Sequence, residues 1–223
     1  MTDPDRPLSR RERPAKPPLT RAGIVAAGLA VLEAEGMEKV TMRRIAAELD
    51  TGAASLYVYV QNTADLHAQM LDELLAGVTP AETGAWLTRL IDLLESYAAV
   101  LFQHPEIARL SMSTHTSGPN YLRLLDTILG LLGEGGVPEN QAAWGVDILL
   151  AYPTFLAAER GSRAQPRNAR DFADLATHVA AADPYTLPHV AAAGDEIVSG
   201  TPAARLRWGI TVLINGITQT ERA

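Results

Sequence analysis

The sequence predicts an all-α protein. Three observations carry that prediction. Apolar residues recur at i, i+3, i+4 and i+7 along most of the chain. No segment of useful length alternates with period two. Thr, Asn, Pro and Gly stand where the periodic runs begin and end. With 223 residues, 47% of them hydrophobic, the chain can bury a core in one large domain or in a small one joined to a larger one.

Residues 1–18 hold five of the 14 prolines and almost no large apolar group. They are expected to form a flexible arm, because little burial offsets the entropy of ordering them. Within residues 6–21, Arg6, Arg10, Arg11, Arg13, Lys16 and Arg21 stand against the single acid Glu12, although the whole chain carries a formal charge of −7. Such asymmetry suits a basic arm on a polyanion. A solvated tail has the same composition.

Thr20 is a good N-cap for a helix through Glu35, with Ile24, Ala27, Gly28 and Val31 on one face and Gly36 as its stop. Thr41 caps a shorter helix whose face is Met42, Ile45, Ala46 and Leu49. Asp50-Thr51-Gly52 breaks that helix, and Gly52 is the residue expected to take a positive φ. Ala53 to Tyr59 reads as a very short third helix; Val58 and Val60 form helix poorly, so tertiary packing must hold it. Asn62 or Thr63 caps a fourth helix, with Leu66, Met70, Leu71, Leu74 and Leu75, ending near Gly77.

Longer helices are expected beyond Pro80: residues 83–102, a short one opened by Pro105, 121–132, 138–160, 169–181 and 202–220. Polar or Gly- and Pro-rich stretches at 113–119, 133–138 and 161–168 separate them, and 184–200 reads as irregular. The predicted organisation is an arm (1–18), a helix-turn-helix domain (19–78) and a larger helical domain (79–223).

Composition excludes several classes. There are no cysteines, hence no disulfides and no cysteine-ligated metal. His67, His104, His115, His178 and His189 are scattered, with no pair at i, i+4, so no metal and no cofactor are expected. No phosphate-cradling Gly loop or nucleophile–base cluster points to an enzyme. Without a leader or a run of about 18 apolar residues, the expectation is a cytoplasmic protein with no membrane partner.

Two short helices joined by a tight turn and braced by a third make a helix-turn-helix, a unit that reads double-stranded DNA. Its reading helix has no Arg or Lys. Gly52, Ala53, Ala54 and Ser55 are small enough for close approach to a groove floor, and Ala methyls can touch thymine methyls. Ser55 can bond a base or a phosphate. Tyr57 and Tyr59 have hydroxyls at phosphate reach, and Tyr57 reads equally as core. Thr41 and Thr63 lie at the edges of the motif. Arg43 and Arg44 on the preceding helix are candidates for bidentate readout of guanine, and Arg10, Arg11 and Arg13 for minor-groove entry.

The run VTMRRIAAELDTGAASLYVYVQNTADL, Val40 to Leu66, resembles the DNA-binding domain of TetR-family transcriptional regulators, most closely the tetracycline-repressor branch. The resemblance reaches back to Thr20 and on to about Gly77, and the later helices match that family's regulatory domain in layout. It implies that Arg43 faces the groove and that Arg44 contacts the backbone. Three positions depart from the family pattern: Thr63 stands where Lys is common, Tyr59-Val60 where His-Phe is frequent, and Asp50 where Gly is usual. His115 lies near the branch's metal-chelating His but falls in a loop, so that role is not carried over.

The resemblance further implies a homodimer built on the helices near 139–160 and 202–220, lined by Trp144, Ile148, Leu149, Tyr152 and Leu156 and by Leu206, Ile210, Leu213, Ile214 and Ile217, with Gly209 and Gly216 allowing close approach. It implies a cavity for a small hydrophobic effector; the candidates for its wall are Trp86, Leu90, Phe102, Met112, Tyr121, Leu125, Asp147, Tyr152 and Phe155. The expected protein is a ligand-responsive repressor that leaves its operator when the effector binds. An activator reads the same in sequence, because the sign depends on where the operator lies. A ligand-binding or scaffold dimer with a weakened DNA-binding domain is the alternative.

Overall fold

The computed structural model describes residues 18–112, 117–163 and 166–222, and side chains other than those of residues 160–172. Every regular element among them is helical, as expected for an all-α chain. None of these helices is long and apolar enough to cross a membrane. The chain packs as two compact units that divide between Gln61 and Asn62.

In the first unit, α1 spans Arg21–Glu35, and the Thr20 hydroxyl accepts a hydrogen bond from the Gly23 N–H at 3.0 Å. A 3-10 turn at Met37–Lys39 leads to α2, Met42–Glu48, capped by Thr41 through the Arg44 N–H at 3.2 Å. α3 is only Ala53–Leu56. Tyr57 to Tyr59 continue it as turns rather than as helix, since a four-residue segment gains too few hydrogen bonds to offset two β-branched valines. Ile24 and Val31 of α1, Ile45 of α2, Leu56 of α3 and Val60 are almost fully buried and form the apolar seam of this unit.

The turn between α2 and α3 corrects one expectation. Gly52 is extended at φ −80°, as N-cap of α3, whereas Asp50 holds the positive φ, +46°. Asp50 N–H bonds to Ala47 O at 3.1 Å and Thr51 N–H to Ala46 O at 2.8 Å, the paired bonds that close a helix on one left-handed residue. Asp tolerates that conformation better than most side chains but less well than Gly. Asp50→Gly should therefore raise stability by about 0.5 kcal/mol, read as the denaturation midpoint.

The second unit opens with α4, Thr63–Leu74, capped by Asn62, whose side-chain Oδ1 accepts from the Asp65 N–H at 2.9 Å. There follow α5 (Trp86–Gln103), α6 (Pro105–Ser111), α7 (Pro119–Glu134), α8 (Glu139–Arg163), α9 (Pro166–Ala180), α10 (Pro188–Ala193) and α11 (Pro202–Gln219). Prolines occupy the first turns of α6, α7, α10 and α11, where the missing N–H costs no intrahelical bond. The stretch expected to be irregular at 184–200 contains α10 and a 3-10 turn at Gly194–Ile197. The break expected at 161–168 is shorter, since α8 continues to Arg163 and α9 begins at Pro166. α8 is central: α5, α6, α7 and α11 all pack on it, while α4 packs on α6 and α7. Leu90, Leu94, Leu101, Ile107 and Ile128 form the dry interior.

Candidate nucleic-acid interface and ligand cavity

The two arginines of α2 have different fates. Arg43 is exposed and has no partner among the described residues. Arg44 is held on three sides within its own unit. Its Nε and one terminal nitrogen donate to Glu35 Oε1 at 2.9 and 2.6 Å, and its other terminal nitrogen to Glu48 Oε2 at 2.8 Å. These bonds hold the Glu35 carboxyl below its usual value and raise the guanidinium above its own. Arg44 thus ties the end of α1 to α2. A phosphate could be reached only in competition with two carboxylates, so the backbone contact expected of Arg44 is not preformed.

Around Arg43 the surface is small and open. Gly52, Ala54 and Ser55 are exposed, Ala53 is half-buried, and no described atom would crowd a Cβ at Gly52. Tyr57 is 53% exposed, which removes it from the core, and Tyr59 is half-buried. Val58, which was not among the expected contacts, is 79% exposed. Thr41 is exposed; its oxygen accepts the capping bond, so its hydroxyl proton remains able to donate. Thr63 is the half-buried first residue of α4 and belongs to the second unit. Arg10, Arg11 and Arg13 lie outside the described residues, as does His115.

The second unit contains a cavity of about 310 Å³ between α4, α5, α6, α7 and α8. Four of the expected residues meet there: Met112, Tyr121, Asp147 and Phe155. The other five do not line it. Leu90 lies on the same face of α5 as Tyr97 but two turns earlier, and is fully buried in the dry core. Trp86 begins α5 and lies against Gly135, whose Cβ would come within 2.7 Å of the indole. Tyr152 points from α8 toward α11, against Gly209, and donates to Arg205 O at 3.3 Å. Phe102 and Leu125 are half-buried elsewhere on α5 and α7.

Tyr97, Thr154, Leu71, Ser111, Leu150 and Ala151 complete the wall. Ala151 was legible in principle, because Asp147, Ala151 and Phe155 are spaced i, i+4, i+8. Leu71 was not, since nothing local distinguishes it from the rest of the α4 stripe. The Thr154 hydroxyl donates to Leu150 O at 2.7 Å, so the Tyr97 hydroxyl is the donor in their 2.8 Å bond. Burial pushes Tyr97 up to about 12. A phenol that ionises near 10 when unfolded and about 12 when folded contributes stability that is present below pH 10 and lost as pH rises through 12. The loss is of order 2–3 kcal/mol. Tyr97→Phe should lose correspondingly less stability than the parent between pH 10 and 12 in denaturant titrations.

One wall of the cavity is tied to α4. Asp72, 8% exposed, accepts from the Tyr121 N–H at 2.9 Å. The Asn120 side-chain amide donates to Asp72 O at 3.0 Å and to its Oδ2 at 3.2 Å. Asp72 thereby satisfies one free N–H group in the first turn of α7, that of Tyr121. Gly118 precedes that turn because a Cβ there would overlap the Asp72 carboxylate.

α8 and α11 also present an exposed apolar face, with Trp144, Ile148, Trp208 and Val212 between 45% and 71% exposed. The residues expected on such a face divide. Leu149, Leu206, Ile210, Ile214 and Ile217 are buried within the unit, because each helix packs on the other. Gly145 admits Ile217 and Gly209 admits Tyr152, so Gly209 serves contact inside the chain, whereas Gly216 has open space. Gln141 donates to Ile217 O across the pair, and the Arg222 guanidinium sits 3.8 Å over the Trp144 ring.

Residues 24–70 match the model described as bacterial regulatory proteins, tetR family, and residues 79–220 match the tetracyclin repressor-like C-terminal domain. The HTH-type transcriptional repressor DrrR1 of Streptomyces coeruleorubidus is 31% identical over 146 residues, 64% of this chain; the chain spans about half of that relative's length, 54%. SCO7704 from Streptomyces is 47% identical, with 93% of this chain and 98% of that one covered and a TM-score of 0.78. ActR of Streptomyces coelicolor, solved in complex with actinorhodin, is 31% identical, with 90% and 96% covered and a TM-score of 0.79.

Proposed function

Because this chain belongs to the tetR family of bacterial regulatory proteins, we propose that it is a ligand-responsive repressor that reads operator DNA as a homodimer. The observation that carries this reading is the pairing of two sites in one chain. An open reading surface with one unpartnered arginine, Arg43, occupies the first unit, and a walled cavity occupies the second. Ala54, Ser55 and Tyr57 supply methyl and hydroxyl contacts, with Thr41, Tyr59 and Thr63 at the phosphates. Two-fold symmetry places two reading helices about 34–36 Å apart, one turn of the duplex. An effector releases DNA only so far as it binds the non-matching spacing more tightly than the matching one.

The dimer is assigned to the exposed face of α8 and α11, since solvent-facing tryptophans of this size mark an association surface. Trp208→Glu removes one of them from a position 71% exposed. It should leave the monomer fold intact and shift sedimentation at micromolar concentration from dimer to monomer.

The scaffold alternative is favoured by one observation: Arg44 is spent on two carboxylates, leaving α2 and α3 with a single available cation. A gel-shift titration on the DNA flanking the gene, with scrambled competitor at two salt concentrations, separates the two. A specific reader is retained on the native fragment and lost steeply with salt; with about eight phosphates neutralised per dimer the log–log slope is near −7. Weak binding, equal on both fragments, followed by no enrichment from random DNA, would leave the scaffold.

A further inference from the structure

The cavity wall is uneven in charge. Of its described residues, Leu71, Met112, Leu150, Ala151 and Phe155 are apolar, Tyr97, Ser111, Tyr121 and Thr154 carry hydroxyls, and Asp147 is the one ionisable acid. No Lys, Arg or His is among them. Asp147 has no ion pair and no hydrogen bond within the described chain. It stands on the stripe of α8 that continues through Ala151 to Phe155, so its carboxylate shares the cavity with two aromatic walls, Phe155 on its own helix and Tyr121 on α7. The closeness of Asp147 to Tyr121 is felt electrostatically: burial raises the Tyr121 phenol, and the Asp147 charge raises it further.

An unpaired, solvent-exposed carboxylate on the wall of a partly apolar cavity has a definite complement. It repels an anionic ligand, gains little from a neutral one, and forms a charge-assisted hydrogen bond with an ammonium. Tyr121 and Phe155 present aromatic faces that attract the same cation and stack with a flat apolar body.

We propose that the cavity selects an aromatic ligand carrying a protonated amine, with Asp147 as the counter-ion of that amine. This deepens, and rests on, the reading of the cavity as an effector site. Asp147 is a specificity-determining residue: it decides which charge enters, while Leu71, Leu150 and Phe155 bury the body of the ligand.

The test uses the full chain and three fluorescent probes that share one ring: aminomethyl-anthracene, hydroxymethyl-anthracene and anthracene carboxylate. In the parent, the ammonium should bind about threefold to fivefold more tightly than the alcohol, and the carboxylate weakest. Asp147→Asn should weaken the ammonium by about the same factor and leave the alcohol unchanged. Its melting temperature should match the parent's, because no described contact is lost. If the alcohol binds both proteins while the ammonium shows no preference, or if Asp147→Asn leaves the ammonium untouched, the charge selection is overturned and the cavity remains an effector site. If none of the probes binds a protein that still retains operator DNA, the effector-site reading fails and the proposal falls with it.

Discussion

Arg43→Ala is expected to abolish specific operator binding and to leave the fold intact. Arg43 is the cation of α2 that no carboxylate holds among the described residues, and α2 packs on α3, where Ala54 and Ser55 are exposed. A bidentate arginine–guanine contact is worth about 1–3 kcal/mol. A two-fold dimer loses it twice, so affinity for the native site falls at least about 30-fold. Affinity for scrambled DNA should fall far less, because phosphate contacts carry that binding. Anisotropy titrations on both duplexes measure the ratio. An equal loss on the two would demote Arg43 to a phosphate contact. Arg44→Ala is the companion variant with a different signature: it cuts the bonds to Glu35 and Glu48, so it acts first on the thermal midpoint and only through it on DNA.

The second large effect is expected at Asp72. Asp72→Ala removes a nearly buried carboxylate that receives the Tyr121 N–H and the Asn120 amide. A hydrogen bond to a charged group contributes about 1.5–3 kcal/mol, and donors left buried without a partner add a desolvation cost. The loss should be about 2–3 kcal/mol, which for a chain of this size lowers Tm by about 4–10 °C. Asp72→Asn keeps an acceptor and should recover about half of it. Since Tyr121 also lines the cavity, loosening the first turn of α7 should weaken every cavity ligand regardless of charge. That separates Asp72→Ala from Asp147→Asn, which should affect the ammonium alone. Gly118→Ala presses a methyl onto the same carboxylate and should destabilise the unit in the same direction.

The reading surface was largely legible because its parts are local. Thr41, the break at residues 50–52, Ala54, Ser55 and Arg43 lie within fifteen residues, and helix periodicity alone puts them on one side of a short motif. The ion pairs of Arg44 were not legible, because they depend on the position of Glu35, nine residues earlier and on another helix. The cavity was less legible. Leu90 and Tyr97 occupy the same stripe of α5, and only the depth at which α8 crosses decides which is core and which is wall. The Tyr97–Thr154 bond joins residues 57 positions apart, and the Asp72–Asn120 pair joins residues 48 apart.

The sequence by itself determined most of the helices and several of their starts. Thr20, Thr41, Asn62 and Thr201 accept capping bonds from N–H groups three residues on. Such bonds close within one turn, so they need no knowledge of the rest of the chain. Tertiary structure alone decided which apolar faces are spent inside the second unit and which stay open. Gly145 and Gly209 let α8 and α11 approach, burying Ile217 and half-burying Tyr152 between them, while Trp144 and Trp208 stay exposed. A helical stripe says only that a face is apolar. What it faces depends on the angle and depth at which distant helices cross, and those follow from the joint packing of all of them.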